Sequence, residues 1–199
     1  MIMENVLLIG ASGSIGSVVR RDLLNSSDNH LTLFVRDSSR LGEIDEKRET
    51  VFSGDATDPN DVNVAVENQD VVFISVTGYL PLITQNVVDA MHNNEVKRVI
   101  LISSMGIYNE ISDNDSENIE PVLVPYRKAA DIIEESDLDS TVIRPSWFDN
   151  NTDLNYQITF KGETFVGRNV SRRSVADLAT RIINEPTLYQ NESLGISRA

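Results

Sequence analysis

The chain has no cysteine among its 199 residues. That removes disulfide bridges, a thiol nucleophile and thiolate metal sites at once. Imidazole is nearly as scarce, with only two histidines, His30 and His92. One stands beside a strand start and the other inside a predicted helix, so neither suggests a catalytic triad or a metal centre. The carboxylates are numerous but dispersed, without metal-ligand spacing, and no metal is expected. Basic residues are outnumbered, 17 Lys and Arg against 31 Asp and Glu, for a formal net charge of −14. Such a surface repels polyanions, which argues against a nucleic-acid partner. No apolar run approaches the roughly 18 residues needed to span a bilayer, and no leader pattern is visible, so no membrane role is expected and the cytoplasm is the default.

What is present begins at the first strand. Asn5-Val6-Leu7-Leu8-Ile9 is a β-type apolar run, followed by Gly10-Ala11-Ser12-Gly13-Ser14-Ile15-Gly16. Ile15, Val18, Val19 and Leu23 then recur at helical spacing. A strand delivering a glycine turn to a helix N-terminus makes a backbone-lined anion site, because free N–H groups and the helix dipole favour a phosphate. In this reading Gly10 permits the tight turn, Gly13 admits a pyrophosphate close to the backbone, and Gly16 packs the helix on the sheet. Ser12, Ser14 and Ile15 complete the loop. The loop lacks the Lys-Ser/Thr ending of a nucleoside-triphosphatase loop, so the site is read as one for a dinucleotide.

Further apolar strands are expected at 30–35, 51–53, 71–76, 99–102, 141–143 and, weakly, 194–196, with helices from Pro59, over 81–94, 125–135 and 177–184. Strands that are apolar throughout and alternate with helices signal an α/β fold: a single doubly wound, Rossmann-like parallel sheet with helices on both faces. One domain over residues 1–199 is expected, with a small substrate-side region around 146–170. Two polar stretches follow strands on the ligand-binding rim. The acidic one, Asn109 to Glu120, reads as a solvated loop, and Asp149 to Glu163 reads as a pocket cap or a surface excursion.

Cofactor choice is read at the end of the second strand, where a carboxylate normally receives the ribose of NAD. Arg36 stands there, followed by Asp37, with Arg40 four residues on. Guanidinium groups suit a 2′-phosphate, so NADP(H) is favoured, and Asp37 leaves NAD(H) open. After the third strand, Asp55 is placed for the adenine amino group and Ala56 for the ring face, with helix capping as the alternative for Asp55. Ser75-Val76-Thr77-Gly78 offers small residues beside which a nicotinamide half can pass. Ser146, Trp147 and Phe148 form a pocket wall, or Trp147 packs into the core.

Together with Ile102-Ser103-Ser104-Met105-Gly106-Ile107-Tyr108, Leu138 to Pro145 and Val170 to Asp177, these segments resemble the atypical short-chain dehydrogenase/reductases, in particular the small NmrA-like NAD(P)H-binding members. The resemblance covers essentially the whole chain and implies a seven-stranded doubly wound sheet. It implies catalytic roles for Ser104 and Tyr126, as carbonyl holder and general acid/base, and places Ser103 and Pro145 beside the cofactor. The family's catalytic Tyr-x-x-x-Lys is incomplete: Tyr126 is followed four residues on by Ala130. Lys128 lies about 200° around a helix from Tyr126. A phenol without an adjacent cation is a proton donor rather than a base at neutral pH. The resemblance therefore implies an NADPH-dependent oxidoreductase acting on a small acceptor, quinone- or flavin-like, that takes its proton from water. The alternative is a non-catalytic NADP(H)-binding sensor. A monomer and a homodimer are not distinguished by the sequence.

Overall fold

The computed structural model describes residues 3–111 and 119–199. Most of the acidic stretch expected as a loop therefore lies outside the described residues. The chain runs β1 (Asn5–Ile9), α1 (Gly16–Ser26), β2 (His30–Val35), β3 (Glu49–Ser53), α2 (Pro59–Val66), β4 (Val71–Ile74), α3 (Leu80–Asn93) and β5 (Arg98–Ile102). It continues through α4 (Val124–Glu134), β6 (Asp139–Pro145), β7 (Trp147–Asp149), β8 (Tyr156–Phe160), β9 (Asn169–Ser171), α5 (Arg172–Asn184) and β10 (Glu192–Arg198).

The main sheet has eight strands in the order β3-β2-β1-β4-β5-β6-β10-β8. Neighbours from β3 to β10 pair in parallel, for example Leu8 with Leu33 and with Phe73. The order reverses between β1 and β4, and a crevice opens there at the carboxyl ends of the strands. Alternation along β1 divides the core. Val6 and Leu8 pack with Val19, Leu23, Val175 and Leu178 beneath α1 and α5. Leu7 and Ile9 face Val62, Val87, Met91 and Ile133 beneath α2, α3 and α4. Each fully buried aliphatic side chain contributes about 1.5–3 kcal/mol, so helices on both faces hold the sheet.

The sheet departs from the expected all-parallel form at one edge. β8 pairs antiparallel with β10, with Leu194 opposite Phe160. Its sequence, Tyr-Gln-Ile-Thr-Phe, is half-exposed, which is the pattern of an edge strand with a wet face rather than of a buried parallel strand. A second sheet joins β7 to β9 in parallel, Phe148 facing Val170. The late helix α5 also starts five residues before the expected 177, because Ser171 caps it by accepting from Ser174 N. Among the described residues no helix is long and apolar enough to cross a membrane.

Candidate functional site

The turn after β1 is set by contact as much as by flexibility. Gly10 has φ +93°, and a Cβ there would lie 2.2 Å from the carbonyl oxygen of Ser75. A Cβ on Gly16 would lie 2.2 Å from the Gly10 oxygen, so α1 is drawn against the strand end. The Gly13 N–H donates to that same oxygen at 2.9 Å. Helix α1 begins after Ile15 with no side-chain cap and no acid in its first turn. Its N-terminal dipole and orphan N–H groups are thus left for an anion.

From this point a cavity of about 650 Å³ extends across the crevice. Gly13, Ser14 and Ile15 line one end, Ser75, Val76 and Thr77 one side, and Ser103, Ser104, Tyr126 and Pro145 the floor and far side. The remaining expected residues stand outside its lining. Gly10, Ser12 and Gly16 build the turn behind it, and Gly78 (φ +76°) turns the chain into α3. Arg36, Asp55 and Ala56 follow β2 and β3 along the same rim.

On that rim Arg36 is exposed and, among the described residues, forms no ion pair. The neighbouring Asp37 carboxylate is occupied, accepting from the Ser39 hydroxyl at 2.7 Å and the Ser39 N–H at 3.0 Å. Those bonds hold its carboxyl below the usual range. Asp55 accepts from the Thr57 N–H and hydroxyl, both at 2.9 Å, which lowers its carboxyl, and the Arg36 charge adds in the same direction. The cap of α2 is Asp58, which accepts from Asn60 N. Ala56 is tied to α3 through Asn86, whose amide donates to the Ala56 carbonyl at 3.1 Å.

The expected catalytic pair meets in the cavity with a gap beside it. Tyr126 lies inside α4, whose first residue is Val124, so the helical geometry holds from Tyr126 onward. Ala130 is 0% exposed and belongs to the core. Lys128 is exposed. Arg127 is engaged elsewhere, paired with Asp131 at 2.7 Å and stacked on Tyr108. Ser104 donates to the Met105 carbonyl at 3.2 Å, and Ser103 donates to the Tyr126 carbonyl at 3.3 Å, tying β5 to α4.

Of two further features, one had no clear signal in the sequence and the other was signalled only in part. The first is a buried ion pair under the site: Arg144 binds Glu110 at 2.5 Å, with side chains 1% and 5% exposed. Glu110 also accepts from the N–H groups of Gly106 (3.0 Å) and Tyr108 (2.8 Å), which fixes the segment leaving Ser104. Tyr108 lies beneath three cations, Arg127, Arg144 and Lys161, at 4.8, 5.1 and 4.5 Å from its ring centre. Burial, reinforced by the bond its hydroxyl donates to Glu134, pushes the Tyr108 phenol well above its ordinary range, so it is an anchor and not a base. The second feature is the aromatic mouth. Trp147, which the sequence favours as core packing, is instead 71% exposed, and with Phe148, Phe165 and Val122 it lines the outer cavity. Among the described residues no group of His, Asp or Glu is arranged to hold a metal.

Comparison with known proteins agrees with this geometry. A family model described as NAD(P)H-binding matches residues 10–186. A Rossmann-fold NAD(P)-binding family protein from Shigella flexneri is 33% identical, with a TM-score of 0.87 over 99% of this chain and 94% of that one. A short-chain dehydrogenase/reductase from Veillonella parvula DSM 2008, solved in complex with NADP, is 26% identical, with a TM-score of 0.88 over 99% and 95% of the two chains. An uncharacterized sugar epimerase of Bacillus subtilis (strain 168) is 25% identical over 157 residues, 73% of this chain and 72% of that protein.

Proposed function

This chain belongs to the NAD(P)H-binding family, and from that premise we propose that it is an oxidoreductase using NADPH to reduce a small, planar, quinone- or flavin-like acceptor. The observation that carries the reading is one continuous cavity leading from the uncapped N-terminus of α1 to an aromatic mouth. The residues present fit a dinucleotide. The turn from Gly10 to Gly16, with Ser12 and Ser14, cradles the pyrophosphate on backbone N–H groups. Ser75, Val76, Thr77 and Gly78, with Ser103 and Pro145, flank the nicotinamide half, while Asp55 and Ala56 meet the adenine. Arg36, exposed and without an ion-pair partner among the described residues, serves the 2′-phosphate of NADPH. The NADP bound in the Veillonella relative supports this preference.

When bound, the reduced nicotinamide supplies a hydride to the acceptor. Ser104 and Tyr126 hold the acceptor oxygen by hydrogen bonds. Because a core alanine occupies the position of the family's lysine, Tyr126 has no relay to regenerate its proton. The acceptor therefore gains its proton from water at the open mouth, which a quinone or flavin tolerates better than a simple ketone does. The segment 146–170 supplies the acceptor side, with Trp147, Phe148 and Phe165 as its apolar walls.

Ala130 also favours a second reading, a non-catalytic NADP(H)-binding sensor. Fluorescence titration with NADPH and NADH, followed by NADPH oxidation assays with quinones, flavins and dicarbonyls, separates the two. Tight NADPH binding with quinone- or flavin-dependent oxidation is the expected result. Binding without consumption across the panel leaves the sensor, and absence of dinucleotide binding removes both.

A further inference from the structure

The chain passes from the main sheet to the small one through a single residue, Ser146, between β6 and β7. Its N–H donates to Ile196 O at 3.0 Å, pinning the backbone to β10. Ser146 is 4% exposed and lines the cavity between Pro145 and Trp147. Its Oγ is closed to solvent and, among the described residues, has no hydrogen-bond partner. The other serines on the cavity floor differ: Ser103 donates to Tyr126 O and Ser104 to Met105 O. A buried hydroxyl left unpaired costs about 1–3 kcal/mol, so an orphan at a ligand cavity calls for an explanation.

The neighbourhood narrows the partner. Pro145, Trp147, Phe148 and Phe165 offer apolar surface. In the conformation present the Oγ shows no surface to the cavity. With the main chain pinned, the hydroxyl must turn about χ1, among its staggered positions, to meet a ligand there. A ligand oxygen brought between those aromatic walls is the acceptor that this hydroxyl lacks. Resting on the reading above, in which the aromatic end takes the acceptor, we propose that Ser146 Oγ donates a hydrogen bond to a ring carbonyl of the bound planar acceptor. It thereby selects carbonyl-bearing rings over hydrocarbons of the same shape, a discrimination that flat apolar walls cannot provide.

The test is equilibrium dialysis of the full chain, saturated with NADP⁺, against menadione and against the methylnaphthalene of the same carbon skeleton. Wild-type protein is expected to prefer menadione. Ser146→Ala is expected to weaken menadione binding about three- to tenfold, the value of one neutral hydrogen bond. Its affinities for methylnaphthalene and for NADP⁺ should be unchanged, and Ser146→Thr should keep the menadione preference. If Ser146→Ala does not fold, Ser146→Cys is a second side chain without a hydroxyl. Equal loss of both ring compounds assigns Ser146 to packing, and loss of NADP⁺ affinity assigns it to the cofactor. Either result overturns the proposal, as does unchanged menadione affinity or the absence of menadione binding by the wild type. Failure of the oxidoreductase reading looks different: menadione binds in a Ser146-dependent manner, yet NADPH is not consumed with it.

Discussion

In the proposed function, Arg36 is the residue on which the choice of NADPH over NADH rests. Its guanidinium stands exposed on the rim beside β2, while the competing carboxylate of Asp37 is spent on Ser39. Arg36→Ala should therefore weaken NADPH binding by about 1.5–3 kcal/mol, the range for a hydrogen bond to a charged group, and leave NADH binding nearly unchanged. Parallel fluorescence titrations check this, and equal losses for the two cofactors would refute the assignment. Gly10 is decided by backbone sterics rather than by a ligand. Its φ of +93° and a prospective Cβ 2.2 Å from a main-chain oxygen leave no room for a side chain. Gly10→Ala should lower the stability measured by urea denaturation by about 2–4 kcal/mol, and an unchanged midpoint would contradict this account of the turn. Both positions could be picked out in the sequence, because glycine spacing and a basic residue after a strand are local signals; the structure accounts for the glycine, and the titrations above test the arginine.

Among the elements, α4 shows where the family pattern is broken and why it is not simply repaired. The helix starts at Val124, before Tyr126, so Tyr126 and Ala130 share one face of α4. Where Tyr126 reaches the cavity, however, Ala130 one turn on is fully buried in the core and does not line it. Ala130→Lys places an ammonium at a fully buried position with no designed partner, at a cost of several kcal/mol. The expected outcome is a clearly lower urea midpoint and no gain of ketone reduction. A stable variant that reduces ketones would show that α4 can tilt to admit the lysine. The motif gap was visible in the sequence; the burial of the gap was not, since it depends on how α4 seats against α3 and the sheet. Strand β8 was missed for a related reason. Its polar alternation makes sense only once β10 offers an edge to pair with.

Across the whole molecule, the cavity depends on long-range ties. Arg144 on β6 and Glu110 after β5 are 34 residues apart in sequence and both almost completely buried. Removing one partner leaves the other charge stranded, so Glu110→Ala should destabilise the protein by about 3–5 kcal/mol. The double variant Arg144→Met/Glu110→Leu should recover much of that loss. Thermal or urea unfolding of the three proteins checks the pattern, and additive losses would mean that the two side chains act independently. Because Glu110 also holds the N–H groups of Gly106 and Tyr108, the same single variant should loosen the segment carrying Ser104.

The sequence by itself determined the alternating α/β plan, the glycine turn opening onto α1, and the basic rim at Arg36. Each of these is written in contiguous residues, where periodicity, φ preference and charge act over a few positions. Only the tertiary structure decided that Ser104, Tyr126 and Ser146 share a cavity, that Trp147 faces its mouth, and that Tyr108 is an anchor under three cations. Those outcomes come from strand order and from helices crossing the sheet, which bring together residues that no local pattern relates.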